Sequence, residues 1–417
     1  MSLLGWIDFS SEHRDKVRTV LDLLKKRGVV DELGIGVIRD AFADRMFPGI
    51  STIQTRAKYF TLVAYRVRAF IERSGNKETL EDYLSFHEKR DRIKLVENHG
   101  KARELGIVGG TFGVDWNQDV VRKPSSIYWN GLRTFGFIKP DISLSEFSSR
   151  LGKGKTSIKD VLRGSKEDDG DVVHNWEDEQ PRVTIPNPDP DYWETLRIHL
   201  THQEARLLRQ HITDQEPDSL IGQMLLNPKW LEEALHFPVK GAFEDFCELP
   251  FLQAVKVPGL TAAVELARDF WRIMKGAHIR YNCLLQEGAD DPTLGDAFQE
   301  EWEQWLDEMN PFPSSWDDTS LWELVGTRAR SIGPTRSFVT QWIEQTRQGC
   351  PDLAKCDHLV RLQERQNKGS RARLAAENRG GHPSDWVGLH DLNYRLPVAL
   401  QILHDIHHGQ RGGGARA

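Results

Sequence analysis

The sequence has no long apolar run and few cysteines. Nowhere do about 18 consecutive apolar residues occur, which is the minimum for a membrane-spanning helix, and the mean hydropathy is −0.53. Only four cysteines are present among 417 residues and none falls in a C-x-x-C pair, so the sequence suggests neither a disulfide framework nor a four-thiolate zinc site. The N-terminus carries no basic region ahead of an apolar stretch, so we expect no signal peptide. These absences predict a cytoplasmic protein that is not in a membrane.

Familiar enzyme motifs are missing as well. The chain contains no G-x-x-x-x-G-K-[ST] loop, no G-x-G-x-x-G between a strand and a helix, no G-x-S-x-G and no H-E-x-x-H. At the level of motifs, this excludes a phosphate-cradling loop and a zincin-type metal site. The sequence therefore predicts no catalytic residues, and we expect no cofactor unless a divalent metal binds at the C-terminal histidines described below.

Charge is distributed unevenly along the chain. Residues 1–155 hold 27 Lys and Arg against 20 Asp and Glu, residues 156–354 hold 18 against 36, and residues 355–417 hold 10 against 6. Two basic ends thus enclose an acidic middle, although the whole chain has a formal charge of −7. Such asymmetry indicates contact between the basic parts and a polyanion such as nucleic acid, whereas chance drift of surface charge is the alternative.

Hydrophobic periodicity predicts a mainly α, multi-helical protein with two domains. Apolar residues recur at three and four positions along most of the chain, and strand signals are rare. Residues 152–191 are rich in acids and proline and poor in apolar residues, which is typical of an exposed linker. We therefore predict a basic N-terminal helical domain over residues 1–151 and a C-terminal helical domain over residues 192–417.

The N-terminal domain is predicted to begin with three helices, and a later segment of it resembles a DNA-binding motif. The first two helices are predicted over Glu12–Lys26 and Asp31–Met46, and Ser51 is expected to cap the third, which runs to Glu72 or Arg73. Further on, a short helix over Ser126–Phe135 precedes the strand-like segment Gly136–Lys139. This order is what a winged helix-turn-helix would look like.

The third helix separates an apolar stripe from a set of cations. At 100° per residue, Lys58, Arg66 and Arg73 lie opposite the stripe and are expected to face a phosphate backbone. Arg56 falls inside the stripe between Ile53 and apolar residues of the next turns, so it is expected to be buried beside an acceptor. We predict that it is a structural residue.

A second basic segment lies near the C-terminus. A helix over Lys355–Asn378 would present several cations on neighbouring faces, and such a set gives salt-sensitive binding to phosphates, while a solvated helix face is the alternative. The residues expected to contact nucleic acid, across both basic ends, are Lys58, Arg66, Arg73, Arg122, Lys123, Arg133, Arg365, Lys368 and Arg371.

The C-terminal histidines are the best candidate for a metal site. His404 and His408 are one helical turn apart, a spacing that can chelate a divalent ion, and His390 or His382 could add a third ligand. The glycine-rich tail that follows favours the alternative of a solvated helix end, where histidines interact with the helix dipole.

Several blocks of the sequence resemble an uncharacterised bacterial family of proteins about 400 residues long. The blocks are Leu4-Gly-Trp-Ile-Asp-Phe-Ser10, Val30-Asp-Glu-Leu-Gly-Ile-Gly36, Ile38-Arg-Asp-Ala-Phe-Ala-Asp44, Phe47-Pro-Gly49, Ser51-Thr-Ile-Gln-Thr-Arg-Ala57, Pro124-Ser-Ser-Ile-Tyr-Trp-Asn-Gly-Leu132 and Leu392-Asn-Tyr-Arg395. The resemblance spans most of the chain. It implies an association with prokaryotic anti-phage defence clusters and supplies no catalytic residues.

Three functions are compatible with these features. The leading hypothesis is a nucleic-acid-binding or adaptor subunit of a bacterial anti-phage defence or DNA-processing system, without its own catalytic site and with DNA favoured over RNA. The first alternative is a metal-dependent hydrolase or nuclease that uses the C-terminal His and Asp cluster. The second is a purely structural adaptor for a helicase or methyltransferase partner within a defence complex.

Overall fold

The computed structural model shows a mainly helical protein, as the hydrophobic periodicity predicts. It describes residues 31–73, 78–100, 105–109, 120, 122–153, 180–313, 316–326, 332–349, 351–375, 378 and 381–412. The helices are α1 (Gly36–Met46), α2 (Lys58–Glu72), α3 (Leu80–His99), α4 (Pro124–Thr134), α5 (Leu144–Lys153), α6 (His202–Gln215), α7 (Leu220–Leu226), α8 (Pro228–His236), α9 (Phe243–Phe246), α10 (Pro250–Ala254), α11 (Leu260–Leu285), α12 (Thr293–Glu308), α13 (Asp318–Val325), α14 (Gly333–Arg347), α15 (Leu353–Lys368) and α16 (Leu396–Gln410). Within these residues, no helix is both long and apolar enough to cross a bilayer.

The chain forms two compact units whose segments are interleaved in sequence. Unit 1 consists of the described residues up to Ala43 together with Ala242–Tyr394, and unit 2 consists of Asp44–Gly241 together with the described residues from Arg395 onward. This division differs from the predicted domains 1–151 and 192–417. The physical reason is packing: α16, at the end of the chain, lies against α6 and α8 of unit 2.

Helix α2 is the core of unit 2. Every residue from Lys58 to Val67 is buried, because α3, α4 and α6 pack around the helix and the strand Arg182–Val183 touches it. Phe60 meets the ring of Tyr128 edge to face with 4.9 Å between the centroids, and the ring of Phe135 lies 5.3 Å away. A helix enclosed in this way has no solvent-facing side over its first ten residues.

The start of α2 differs from the prediction that Ser51 caps it. The helix begins at Lys58, and the residue before it, Ala57, has no side chain that can cap a helix. The backbone amides of Thr55 and Arg56 donate to the hydroxyl of Tyr128, and the amide of Ala57 donates to a carboxylate oxygen of Asp405 at 2.8 Å. These three amides therefore have acceptors from distant parts of the chain, and the helix begins at Lys58 instead of directly after Ser51.

Helices α6 and α16 meet closely in unit 2. Thr201 and Glu204 form a capping box that starts α6, since each side chain accepts from the other residue's backbone amide. A Cβ at Gly409 of α16 would lie 2.8 Å from the Cβ of Ala205 and 3.0 Å from that of Leu200. Only glycine permits this approach, which fixes the C-terminal turn of α16 against the start of α6.

Unit 1 is built around the 26-residue helix α11, against which α12, α14 and α15 pack. The indole of Trp305 donates to the carbonyl of Arg272, and that of Trp342 donates to the carbonyl of Ile273. Helix α15 ends at Lys368, ten residues earlier than predicted, because the chain turns at Gly369 with a φ of 58°. The prediction of one helix over Lys355–Asn378 is therefore wrong for its last ten residues.

The described chain contains one small sheet, in unit 2. Strand β1 (Ile138–Lys139) pairs antiparallel with β2 (Arg182–Val183). Strand β2 is part of the predicted linker, so this part of the linker belongs to the packed structure. Residues 154–179 of the linker lie outside the described residues. The helix predicted over Glu12–Lys26 also lies outside them. The winged helix-turn-helix stays a prediction.

Candidate functional site

A pocket of about 210 Å³ in unit 2 collects imidazole, guanidinium and carboxylate groups from distant parts of the sequence. We call it the histidine pocket. It is lined by Arg56, His199, Leu200, His404, Asp405 and His408. At ~30 Å³ for each water molecule, its volume has room for several waters or one phosphate group.

The base of the histidine pocket is a buried ion pair between Arg56 and Asp405. The Nε of Arg56 lies 2.9 Å from Oδ2 of Asp405, and its Nη2 lies 2.9 Å from Oδ1. The carboxylate also accepts from the amide of Ala57 and from the side chain of Gln401 at 3.1 Å. Asp405 is thus held by four donors, which leaves its oxygens little capacity to bind a ligand.

The sequence prediction for Arg56 is confirmed. The residue is buried beside an acceptor, and its Nη1 donates to the carbonyl of Leu105 at 2.8 Å. Its Nη2 lies 3.3 Å from Nδ1 of His199. A guanidinium has donors only, so Nδ1 of His199 must present its lone pair, and the proton of the neutral ring resides on Nε2. Arg56 therefore fixes the tautomer of this histidine.

A second histidine beside the pocket is also held in one tautomer. The backbone amide of Ile198 donates to Nε2 of His99 at 3.0 Å, so the proton of the neutral His99 ring is on Nδ1. The ring centroids of His99 and His199 are 5.6 Å apart, and those of His199 and His408 are 5.7 Å apart. Three imidazoles therefore follow one another across this part of unit 2.

The environment keeps most of these imidazoles neutral. Burial, followed by the charge of Arg56, lowers the pKa of His199. Burial also lowers the pKa of His99, with a further contribution from Arg197, and lowers the pKa of His404 although Asp405 opposes this. Near neutral pH these three rings carry one N–H and one lone pair each, so they are donors and acceptors but not fixed charges.

The spacing of His404 and His408 on α16 brings both side chains into the pocket, as their separation by one helical turn requires. His404 is half-buried and His408 is exposed. The close approach at Gly409 holds the following turn of the helix against Leu200, which also lines the pocket. The position of His408 is thus set by packing of the backbone.

The third ligand predicted for a metal, His390, is not part of this pocket. It belongs to unit 1, is exposed, and its Nδ1 lies 2.8 Å from the carboxylate of the adjacent Asp391. Among the described residues, no group of three or more His, Cys, Asp or Glu side chains is arranged to hold a metal ion. The two histidines of α16 are therefore not identified as metal ligands.

Two of the cations predicted to face a phosphate backbone are buried, so that prediction is wrong for their orientation. Lys58 is 2% exposed, and its Nζ lies 2.7 Å and 2.9 Å from the two oxygens of Glu204. Arg66 pairs with Asp91, and its guanidinium stacks on the ring of Trp193 at 3.4 Å from the centroid. The face opposite the apolar stripe is covered by elements that bring their own acids.

The other predicted cations lie nearer the surface. In unit 2, Arg73 pairs with Glu78 at 3.2 Å, Arg133 pairs with Asp141 at 2.5 Å, and Arg122 and Lys123 are half-buried before α4. In unit 1, Lys368 pairs with the buried Glu32 at 3.0 Å, whereas Arg365 and Arg371 are exposed. Neither group lies in the lining of the histidine pocket.

Sequence reasoning missed His199 and the role of Asp405. His199 lies in a segment without a recognisable motif, and the sequence indicated Asp405 only as part of the C-terminal His and Asp cluster. The one signal was the burial predicted for Arg56, which demanded an acid somewhere in the chain. The partner is 349 positions away in sequence, and only the fold identifies it.

Comparison with known proteins gives one result. The sequence model of a family described as a family of unknown function, DUF6361, matches residues 1–408. No curated protein and no solved structure matches the chain.

Proposed function

The chain belongs to the DUF6361 family, whose function is unknown, and from its own geometry we propose that it binds nucleic acid through a phosphate group held in the histidine pocket. One observation carries this proposal. A single pocket combines a buried guanidinium with three imidazoles, while the only carboxylate in the lining is occupied by donors from its own chain.

The donors favour an anion over other ligands of the same size. Nε2–H of His199 is available because Arg56 occupies the opposite nitrogen, and His404 and His408 can each donate one N–H in the tautomer that a ligand selects. Phosphate oxygens accept several hydrogen bonds, and imidazole N–H groups are suitable donors for them. Nucleic acid presents such oxygens in a regular series.

The exposed cations provide a second reason to choose nucleic acid over a small anion. Arg365 and Arg371 remain exposed, and Arg122 and Lys123 are partly so. Cations of this kind add affinity without sequence specificity, because each phosphate that they neutralise releases a counterion. The sequence hypothesis favours DNA, but the pocket is argued only against a phosphate group, which DNA and RNA share, so the test compares both.

The test is a binding titration with fluorescently labelled single-stranded DNA, duplex DNA and RNA of equal length. We expect affinity to fall as salt rises. Loss of a hydrogen bond to a charged group costs ~1.5–3 kcal/mol, so His199→Ala and His408→Ala should each weaken binding about 10- to 100-fold. The matched control is His202→Ala, an exposed histidine of unit 2 that does not line the pocket.

The control should bind like the unchanged protein. The proposal fails if none of the three ligands binds at low salt, or if binding is insensitive to salt. It also fails if His199→Ala and His408→Ala bind as tightly as the control, since the contact would then lie elsewhere.

A further inference from the structure

The three imidazoles of the histidine pocket lie around one small space. Between them they can serve as a proton acceptor, a proton donor and a hydrogen-bond donor of fixed tautomer. His404 and His408 are separated by one turn of α16, and His199 faces His408 with 5.7 Å between the ring centroids. A phosphate group lying among the three would be within reach of imidazoles from α16 and from the segment before α6. General acid–base catalysis at a phosphodiester needs one group that accepts a proton and another that donates one.

The three rings differ in what they can do. His199 cannot accept a proton at Nδ1, because the guanidinium of Arg56 lies 3.3 Å from that atom, so its Nε2–H can only donate a hydrogen bond. His404 is half-buried beside Asp405, and burial lowers its pKa, which keeps its lone pair available near neutral pH. His408 is exposed, so its ring is accessible to a bound substrate.

Resting on the proposed function, we infer that the histidine pocket cleaves RNA by transfer of the phosphate to the neighbouring 2′-hydroxyl, with His404 as base, His408 as acid and His199 as donor to a phosphate oxygen. His404 takes the proton of the 2′-hydroxyl and O2′ forms a bond to phosphorus. The bond from phosphorus to O5′ breaks, and His408 gives its proton to the leaving oxygen.

This step balances without a co-reactant. One proton is accepted and one is donated, and the products are a 2′,3′-cyclic phosphate and a 5′-hydroxyl. The chemistry favours RNA because the nucleophile is part of the substrate, so the pocket needs only proton transfer and hydrogen bonding. Asp405 does not act on the substrate; it orients Arg56, which in turn fixes His199, and it is a positioning residue.

The experiment uses the full chain and three labelled oligonucleotides of one sequence: RNA, DNA, and DNA with a single ribonucleotide. We expect cleavage of the RNA, one cut at the ribonucleotide, no cleavage of the DNA, and no effect of EDTA. The new ends should be a cyclic phosphate and a 5′-hydroxyl. Since proton transfer contributes ~10²–10⁴-fold, His404→Ala and His408→Ala should each slow cleavage at least about 100-fold, whereas His202→Ala should not.

Folding is checked by the melting temperature of each variant, and His404→Gln, which keeps a polar side chain of similar size, replaces His404→Ala if the alanine variant is unstable. The variant Asp405→Asn tests whether Asp405 positions Arg56 and His199: loss of activity should be accompanied by a changed dependence of cleavage on pH.

The inference is overturned if the protein binds RNA without cleaving it, if DNA is cut equally, if EDTA abolishes cleavage, or if both histidine variants keep full activity. Binding without cleavage would leave the proposed function intact, whereas absence of binding would remove both.

Discussion

The buried pair Lys58–Glu204 is the most direct test of how unit 2 is held together. Both side chains are 2% exposed, and Glu204 also accepts from Thr61 at 2.9 Å and from the hydroxyl of Tyr192 at 3.0 Å. The substitution Glu204→Gln keeps the size of the side chain and a carbonyl acceptor but removes the charge. Lys58 then lies in the core of unit 2 without its counter-charge.

The expected loss is large because removing one partner of a buried ion pair costs ~3–5 kcal/mol. Unit 2 contains about 220 residues, and for such a unit ~1 kcal/mol shifts the Tm by ~2–4 °C, so Glu204→Gln should lower the Tm by ~6–20 °C. The double variant Lys58→Met with Glu204→Gln should recover most of this loss, because no buried charge remains. The measurement is thermal unfolding followed by circular dichroism at pH 7.

The control is Glu78→Gln, which breaks the exposed pair with Arg73 and should cost less than ~1 kcal/mol.

The pH dependence of the stability contributed by Lys58 has a defined sign. Burial lowers the pKa of Lys58 from its usual 10.5 although Glu204 opposes this, so the unfolded chain binds the extra proton and stability rises with pH towards 10.5. In Glu204→Gln the pKa of Lys58 should fall further, so this rise should begin at a lower pH. A loss below ~1 kcal/mol, or a double variant as unstable as the single one, would refute the reasoning.

Three further predictions concern Glu88, His87 and Gly276, and urea denaturation measures each. Burial raises the pKa of Glu88, which lies beside Ser125, to about 8, so its contribution to stability is present below pH 4.5 and is lost as pH rises to about 8. The variant Glu88→Gln should remove this decline of stability with pH. An unchanged dependence of stability on pH would contradict the prediction. Burial and the charge of Arg66 lower the pKa of His87 to about 4, so the stability of the protein decreases as pH falls from 6.5 to about 4. The variant His87→Gln should reduce this loss of stability. A Cβ at Gly276 would lie 2.4 Å from the ring of Trp305, so Gly276→Ala should cost ~1–3 kcal/mol, and a stable alanine variant would show that the ring can move.

The periodicity of the sequence was sufficient to predict the helical class and the burial of Arg56. It was insufficient for Lys58 and Arg66, although all three residues were judged by the same projection. A helical projection shows which side chains share a face, but it assumes that the face opposite the apolar stripe meets water. In α2 that face meets Glu204 and Asp91, which are 146 and 25 positions away, and no local pattern reveals such partners.

The helix ends show the same limit. The glycine at 369 stops α15 because the chain turns there with a positive φ, and this signal was present in the sequence. Ser51 carried an equally good capping signal, yet α2 begins seven residues later because Tyr128 and Asp405 accept the amides that precede it. Local propensity decides a helix boundary only where no tertiary acceptor competes.

In the candidate site, sequence spacing predicted that His404 and His408 share one face, and it could not supply His199 or the role of Asp405. These contributions depend on a chain of contacts in three dimensions: Asp405 binds both the amide of Ala57 and the guanidinium of Arg56, and that guanidinium selects the tautomer of His199. The same carboxylate therefore completes the start of the central helix and orients the donor of the pocket. Because one group serves both purposes, the geometry of the pocket is coupled to the folding of unit 2, and a change at Asp405 must be assayed for stability before any loss of binding is assigned to the site.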